Sequence, residues 1–328
     1  MSKRTTLLLS SLLFLAFMAN TAQAVTMNIV TGSTKGTYYQ FGLNLAQLLQ
    51  PHGITLKVFP SNGSVENIYA VYKRPNTQLG IVQADVLAFV SRVQTNPVLK
   101  AIAQKIRMVF PLYNEEIHLL GRSDLKKFDE LQGKRVAIGK DGSGTYLTAR
   151  LLFELSGVTP AQMVTIGTDE ALTQLKAGGI DAMFYVAGYP VKLLSTDVGP
   201  EDKLALLSIA NPKITEFYPR STIPAGTYSW QSEETPTVAV KAVLISYDFR
   251  HFHCENVGRA GQLLFTNLEW LRQQGHPKWK AVDLNYTLKG WKQYDCVTKK
   301  LMMAAPAAKK PPASVNPVLE AIKDVLQQ

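Results

Sequence analysis

The chain has 328 residues, of which 46% are AVILMFWYC and 18% are charged, with 22 Gly and 17 Pro. This balance excludes a disordered or collagen-like chain and leaves room for a folded protein of two ordinary domains. The formal net charge is +10, which favours anionic partners, but the basic residues are dispersed along the chain and no nucleic-acid partner is expected.

Lys3 and Arg4 precede an apolar run from Leu7 to Ala19, and Ala22-Gln23-Ala24 follows it. A basic start, a short hydrophobic stretch and a small-x-small site are the three parts of a secretory signal peptide, so residues 1–24 are expected to be cleaved after Ala24. An uncleaved anchor is the rival reading, but the 13 residues of the run fall short of the ~20 that span a bilayer. The product is expected to be periplasmic. Without Lys3 and Arg4 its 33 basic residues face 25 acidic ones, a formal charge of about +8, suited to a small anionic solute or an anionic membrane surface. Export also places Cys254 and Cys296 in an oxidising compartment. Lacking C-x-x-C spacing, they read as one disulfide, with two unpaired buried thiols as the alternative. A bridge closing a loop of about 43 residues contributes at most about 4 kcal/mol.

From Val25 the pattern is strand (Val25 to Val30), glycine loop (Gly32 to Thr37) and amphipathic helix (Tyr38 to Leu49). It repeats with strand Thr55 to Pro60, loop Ser61 to Ser64 and helix Val65 to Tyr72, then with strand Gln78 to Val82 and helix Ala84 to Val93. Such alternation implies a parallel sheet with helices on its faces. Arg107 to Val109 and Glu116 to Leu120 flank Pro111-Leu112-Tyr113-Asn114, a break where the chain is expected to change lobes. A second series follows: a turn and strand over Leu131 to Gly139, loop Lys140 to Thr145, helix Tyr146 to Leu155, strand Val164 to Ile166, helix Asp169 to Ala177 and strand Ile180 to Tyr185. After a Pro-rich stretch, the β-prone run Thr237 to Ser246 is expected to cross back, ahead of a long helix from Asn256 to Gln274. The expected organisation is lobe 1 in 25–112, lobe 2 in 113–240, a return to lobe 1 in 241–303, and a Pro/Ala/Lys-rich tail in 304–328.

Two α/β lobes crossed between twice are the organisation of a hinged protein with a ligand between its lobes. The first glycine loop, with Ser33, Thr34, Thr37 and Tyr38, and its counterpart Ser143-Gly144-Thr145 both stand where a strand gives way to a helix. Opposed helix N-termini hold a small anion through N–H groups and dipoles without a side-chain cation. Neither loop has the G-x-G-x-x-G or G-x-x-x-x-G-K-[ST] nucleotide fingerprint, and plain strand-to-helix turns are the alternative. Ser64, Asn67 and Gln83 open helices at the same sheet edge and suit the orientation of a polar solute, although caps and turns use the same residue types. Tyr185 and Tyr189 end a strand and offer apolar walls with polar tips. No cofactor is expected and no metal: His251-x-His253-Cys254 resembles a ligand cluster only superficially. There is no G-x-S-x-G elbow or H-E-x-x-H, and a hydrolase using Ser143 would have no evident base.

The ordered motifs Gly36-Thr37-Tyr38-Tyr39, Gly63-Ser64-Val65-Glu66-Asn67, Gly80-Ile81-Val82-Gln83-Ala84-Asp85, Gly142-Ser143-Gly144-Thr145 and Ile180-Asp181-Ala182-Met183-Phe184 resemble those of TAXI-type solute receptors. These are the extracytoplasmic binding proteins of tripartite ATP-independent periplasmic (TRAP) transporters. The resemblance spans about Met27 to Asp295. It implies a type II periplasmic-binding-protein fold, with two α/β lobes, a hinge and an inter-lobe cleft, and no enzymatic activity. It implies a carboxylate solute such as glutamate, 2-oxoglutarate or a similar dicarboxylate, and delivery to a TRAP-type membrane permease. A receptor reporting to a membrane signalling partner is the alternative. Carried over residue by residue, the cleft roles fall on Ser33, Thr34, Tyr38, Ser64, Asn67, Gln83, Ser143 and Thr145. Lys35 stands where many members have Gly, and Pro75-Asn76-Thr77-Gln78 where they often have Gly and Asp.

Overall fold

The computed structural model describes residues 25–93 and 96–304. The expected signal peptide and, apart from its first residue, the Pro/Ala/Lys-rich tail lie outside the described residues. Among the described residues ten strands form the frame: β1 (Val25–Val30), β2 (Ile54–Phe59), β3 (Thr77–Gln83), β4 (Ile106–Arg122), β5 (Arg135–Ala137), β6 (Gln162–Val164), β7 (Ala182–Ala187), β8 (Leu204–Leu206), β9 (Arg220–Ile223) and β10 (Thr235–Tyr247). The helices on the first lobe's faces are α1 (Thr37–Leu49), α2 (Ser64–Lys73), α3 (Ala84–Ala88) and α4 (Pro97–Ala103). The second lobe carries α5 (Gly144–Ser156), α6 (Thr168–Lys176), α7 (Lys192–Thr196) and α8 (Pro212–Thr215). The described residues end with α9 (His251–Thr266), α10 (Leu268–Gln274) and α11 (Asp295–Ala304).

The strands run in the order β2-β1-β3-β10-β4-β7-β5-β6, with β8 beside β4 and β9 beside β10. The outer trios are parallel, as strand–helix alternation requires. The sheet as a whole is mixed, which corrects the expectation of a parallel one: β4 and β10 are antiparallel to each other and to the strands they meet. These two long strands carry the chain between the lobes. Each lobe buries both faces of its half-sheet, so alternate residues serve different cores. On β7, Ala182, Phe184 and Val186 join a cluster with Phe128, Leu152 and Phe153, while Met183, Tyr185 and Ala187 join Leu172, Leu175 and Ile180. In the first lobe Met27, Ile29 and Leu79 pack with Phe41, Leu45 and Trp279, and Val30 and Val82 pack with Ile68, Val71 and Ile245.

The break expected at Pro111 is absent, because β4 is one 17-residue strand. Pro111 pairs with Val243 where the β10 ladder shifts register, a place where its missing N–H is tolerated. The long helix expected from Asn256 to Gln274 begins earlier and is divided at Asn267, which leaves helical geometry at φ −116°, ψ 22°. Helix α4 was not expected; Asn96 caps it by accepting from the N–H groups of Val98 and Leu99, with Pro97 in the first turn. Cys254 on α9 and Cys296 on α11 form the disulfide, with Cα atoms 5.4 Å apart. The thiol alternative is thereby excluded.

Candidate functional site

A cavity of about 250 Å³ lies between the lobes at the C-terminal ends of the strands, the edge at which open α/β sheets present their helix N-termini. Helices α1, α2, α5 and α6 begin on its wall, since Gly36, Gly63, Ser143 and Gly167 all line it. Three of these four N-caps are glycine and supply no side-chain cap, so the first-turn N–H groups of α1, α2 and α6 have no side-chain acceptor at the cap. Of these four helices α5 alone is capped by a side chain: the Ser143 hydroxyl accepts from the Tyr146 N–H at 3.0 Å. Aligned N-termini give the wall a positive potential, to which exposed Lys140 adds. Lys35 near the mouth is neutralised by Asp169 at 2.8 Å and Asp197 at 2.6 Å, and these contacts push its pKa up.

Backbone conformation explains one of the glycines and close packing another. Gly63 has φ 120°, a conformation only glycine adopts readily. A Cβ at Gly144 would lie 1.8 Å from Gln83 Oε1 and 2.8 Å from Ser64 Oγ, so the two lobes meet there through bare backbone. Gln83 is fixed on both sides: its N–H donates to Ser64 Oγ at 3.0 Å, and its side-chain amide donates to Thr148 Oγ1 at 2.8 Å. Thr148 in turn donates to Asp85 at 2.7 Å. The Thr37 hydroxyl donates to the Gly188 carbonyl at 2.5 Å. The lobes are thus latched on both flanks of the cavity.

The floor carries the opposite charge character. Glu115, 1% exposed, lines the cavity from β4. Among the described residues its carboxyl has a single side-chain hydrogen-bond partner, the Tyr38 hydroxyl, which donates to Oε2 at 2.6 Å. Burial holds Glu115 well above the usual carboxylate range, and Tyr38 and Tyr185 are pushed up for the same reason. Its neighbour Glu116 points elsewhere and is ion-paired to Lys278 at 2.6 Å, both nearly inaccessible. Burial raises the Glu116 pKa and lowers that of Lys278, each partly offset by the other.

Of the residues singled out in the sequence, Ser33, Thr37, Tyr38, Ser64, Gln83, Ser143, Gly144, Thr145 and Tyr185 line this cavity. Three do not. Thr34 is exposed and its carbonyl accepts from Gln40. Asn67 lies behind the wall, where its amide donates to the Thr31 and Ile81 carbonyls at 2.5 and 2.7 Å and accepts from Ser61 at 2.6 Å. It supports the loop; it does not face the cavity. Tyr189 sits outside, its ring 3.6 Å from Lys278 Nζ. Sequence reading passed over Glu115, Lys140, Thr168 and Asp169, which also line the cavity. Glu115-Glu116, two adjacent carboxylates inside an apolar β run, was the signal available for the first.

The model of the NMT1-like family matches residues 29–290. The chain belongs to this family. Among solved structures, one described as the periplasmic binding protein BugD is similar at a TM-score of 0.54 and 12% identity, covering 85% of this chain and 94% of that one. Another, described as a periplasmic transporter, has a TM-score of 0.54 and 15% identity, with 87% and 96% covered. At these identities the likeness establishes the fold: this NMT1-like chain has the two-lobed type II periplasmic-binding-protein architecture. Among the described residues no helix is long and apolar enough to cross a membrane.

Proposed function

We propose that this NMT1-like protein is a solute receptor of the TAXI type, exported to the periplasm through a cleaved signal peptide. It captures a small carboxylate, such as glutamate, 2-oxoglutarate or a similar dicarboxylate, and delivers it to a TRAP-type membrane permease. The observation that carries the reading is the convergence of four helix N-termini, three with glycine caps, on one small cavity between lobes. A carboxylate bound there receives N–H groups and hydroxyls already aimed inward, at little reorganisation cost. The receptor does no bond chemistry; the Ser143 hydroxyl serves as a helix cap. The lobes, 25–112 with 241–303 and 113–240, part and close about the β4 and β10 crossings, and ligand contacts made only in the closed state select closure. The motifs Gly63 to Asn67 and Gly142 to Thr145, both at the cavity wall or directly behind it, support the TAXI assignment over other binding-protein types.

Native mass spectrometry of the protein purified from an exporting host tests this. The expected result is an adduct of small-solute mass that is released on denaturation and identified as a carboxylate. An unliganded protein that also fails to take up any carboxylate added to it would overturn the reading.

A further inference from the structure

The helix N-termini account for one end of a carboxylate solute and leave the floor unexplained. There, a carboxyl that is 1% exposed faces the cavity with one hydrogen bond from Tyr38. Burying a carboxyl with a single hydrogen-bond partner is costly and holds it above the usual carboxylate range, a penalty that a cation seated beside it would offset. Its neighbour in the chain does not share this predicament, because Lys278 satisfies Glu116 at 2.6 Å. Lys278 reaches Glu115 only through its field, from its ion pair with Glu116, and Lys140 stands exposed on the cavity wall without a hydrogen bond to Glu115. Among the described residues Tyr38 is therefore the one side chain hydrogen-bonded to the Glu115 carboxyl, and the cavity is polarised, with N–H groups on its walls and a carboxyl at its base.

We infer that Glu115, oriented by Tyr38, is the specificity-determining residue that binds the ammonium group of the solute, so that the cavity selects amino acids over carboxylates lacking an amine. The carboxylate of the solute lies against the helix N-termini while its ammonium donates to Glu115, and each end meets its complement. This rests on the reading of the cavity as a carboxylate-receptor site and assigns the second of its two ends. Tyr38 links the two, since it stands in the first turn of α1 and its hydroxyl reaches the floor.

Calorimetry with matched sets of 2-amino, 2-oxo and 2-hydroxy acids of the same side chain tests the inference on the wild-type protein. The amino acid of the best-binding set is expected to bind at least about tenfold more tightly than its oxo and hydroxy counterparts, as loss of a charge-assisted hydrogen bond predicts. In Glu115→Gln, which keeps the shape of the side chain, that preference is expected to vanish, the amino acid losing its tenfold or greater advantage over the oxo acid. Oxo acids that match or exceed amino acids in the wild type overturn the inference and leave the carboxylate receptor standing, as does a Glu115→Gln variant that keeps the full preference. Absence of binding by every member of every set instead overturns the receptor reading itself.

Discussion

The Thr148 hydroxyl donates to the Asp85 carboxylate at 2.7 Å, joining α5 of one lobe to α3 of the other. The Tyr218 hydroxyl reaches the same carboxylate oxygen at 3.2 Å, and Thr148 itself accepts from Gln83. Burial raises the Asp85 pKa, and these hydrogen bonds oppose the rise. The contact exists only while the lobes are together, so its loss weighs on closure more than on folding. Thr148→Val leaves Asp85 and Gln83 each short of a partner in the closed form, at a cost of about 1–3 kcal/mol. Solute affinity measured by calorimetry is expected to fall about tenfold or more, with a much smaller change in the melting temperature of the unliganded protein. Undiminished affinity would show that the latch contributes nothing.

Gly144→Ala addresses the same closure from the backbone. The added methyl would stand 1.8 Å from Gln83 Oε1, and Gln83 is held by Thr148 and cannot withdraw freely. Separated lobes accommodate alanine at a helix first-turn position without strain. The expected outcome is loss of solute binding with a retained fold, read by calorimetry beside circular dichroism. Binding at wild-type strength would mean that the lobes do not need to approach this closely.

His118 is the clearest source of acid sensitivity. It is fully buried, with Nδ1–H donating to the Glu116 carbonyl at 3.0 Å and Nε2 accepting from the Tyr228 hydroxyl at 2.8 Å. Burial lowers its pKa from 6.5 to about 4. Between those values the unfolded chain binds a proton that the folded chain refuses, so the stabilisation is complete above pH 6.5 and is lost as pH falls toward 4, ~3 kcal/mol in all. Glu115 and Glu116, whose pKa values are raised, act in the opposite sense and are common to the wild type and a His118→Gln variant. Urea unfolding at pH 7.5 and 4.5 is therefore expected to show the wild type losing about 2–3 kcal/mol more than the variant. Equal losses would place the acid sensitivity elsewhere.

Lys278 pins the segment before α11 to the crossing strand β4 through its buried pair with Glu116. Lys278→Met abandons a buried carboxylate and is expected to destabilise the fold by about 3–5 kcal/mol, while adding Glu116→Gln recovers much of it. The measurement is the denaturation midpoint of both variants. A single variant as stable as the wild type would show that Glu116 is satisfied without its lysine.

The outer parallel trios and helices α1, α2, α5 and α6 were legible because each follows its own local code: a β-prone run, glycine, then 3.6-residue periodicity. The same code exposed most of the cavity wall, since residues between a strand end and a helix start collect at one sheet edge. Asn67 shares that address, yet helical geometry turns it inward to the Thr31 and Ile81 carbonyls, a choice no spacing reveals. Pro111 read as a break because a lone proline in a strand usually is one; its tolerance depends on a register shift set by β10, 130 or so residues further on. Glu115 escaped for a similar reason. A carboxylate within an apolar strand gains meaning only when Tyr38 is brought 2.6 Å from it across the sheet.

Thermal-shift titration of the purified protein reads directly whether a small carboxylate is held in the cavity between closed lobes. A panel of amino acids, mono- and dicarboxylates, phosphate and sugars would be run against the wild type and Gly144→Ala. A true ligand at 100 times its Kd adds about 2.7 kcal/mol of stability. A saturable rise in melting temperature is expected for one class of small carboxylates in the wild type and none in Gly144→Ala. A wild type indifferent to every carboxylate, or equal shifts in both proteins, would contradict it.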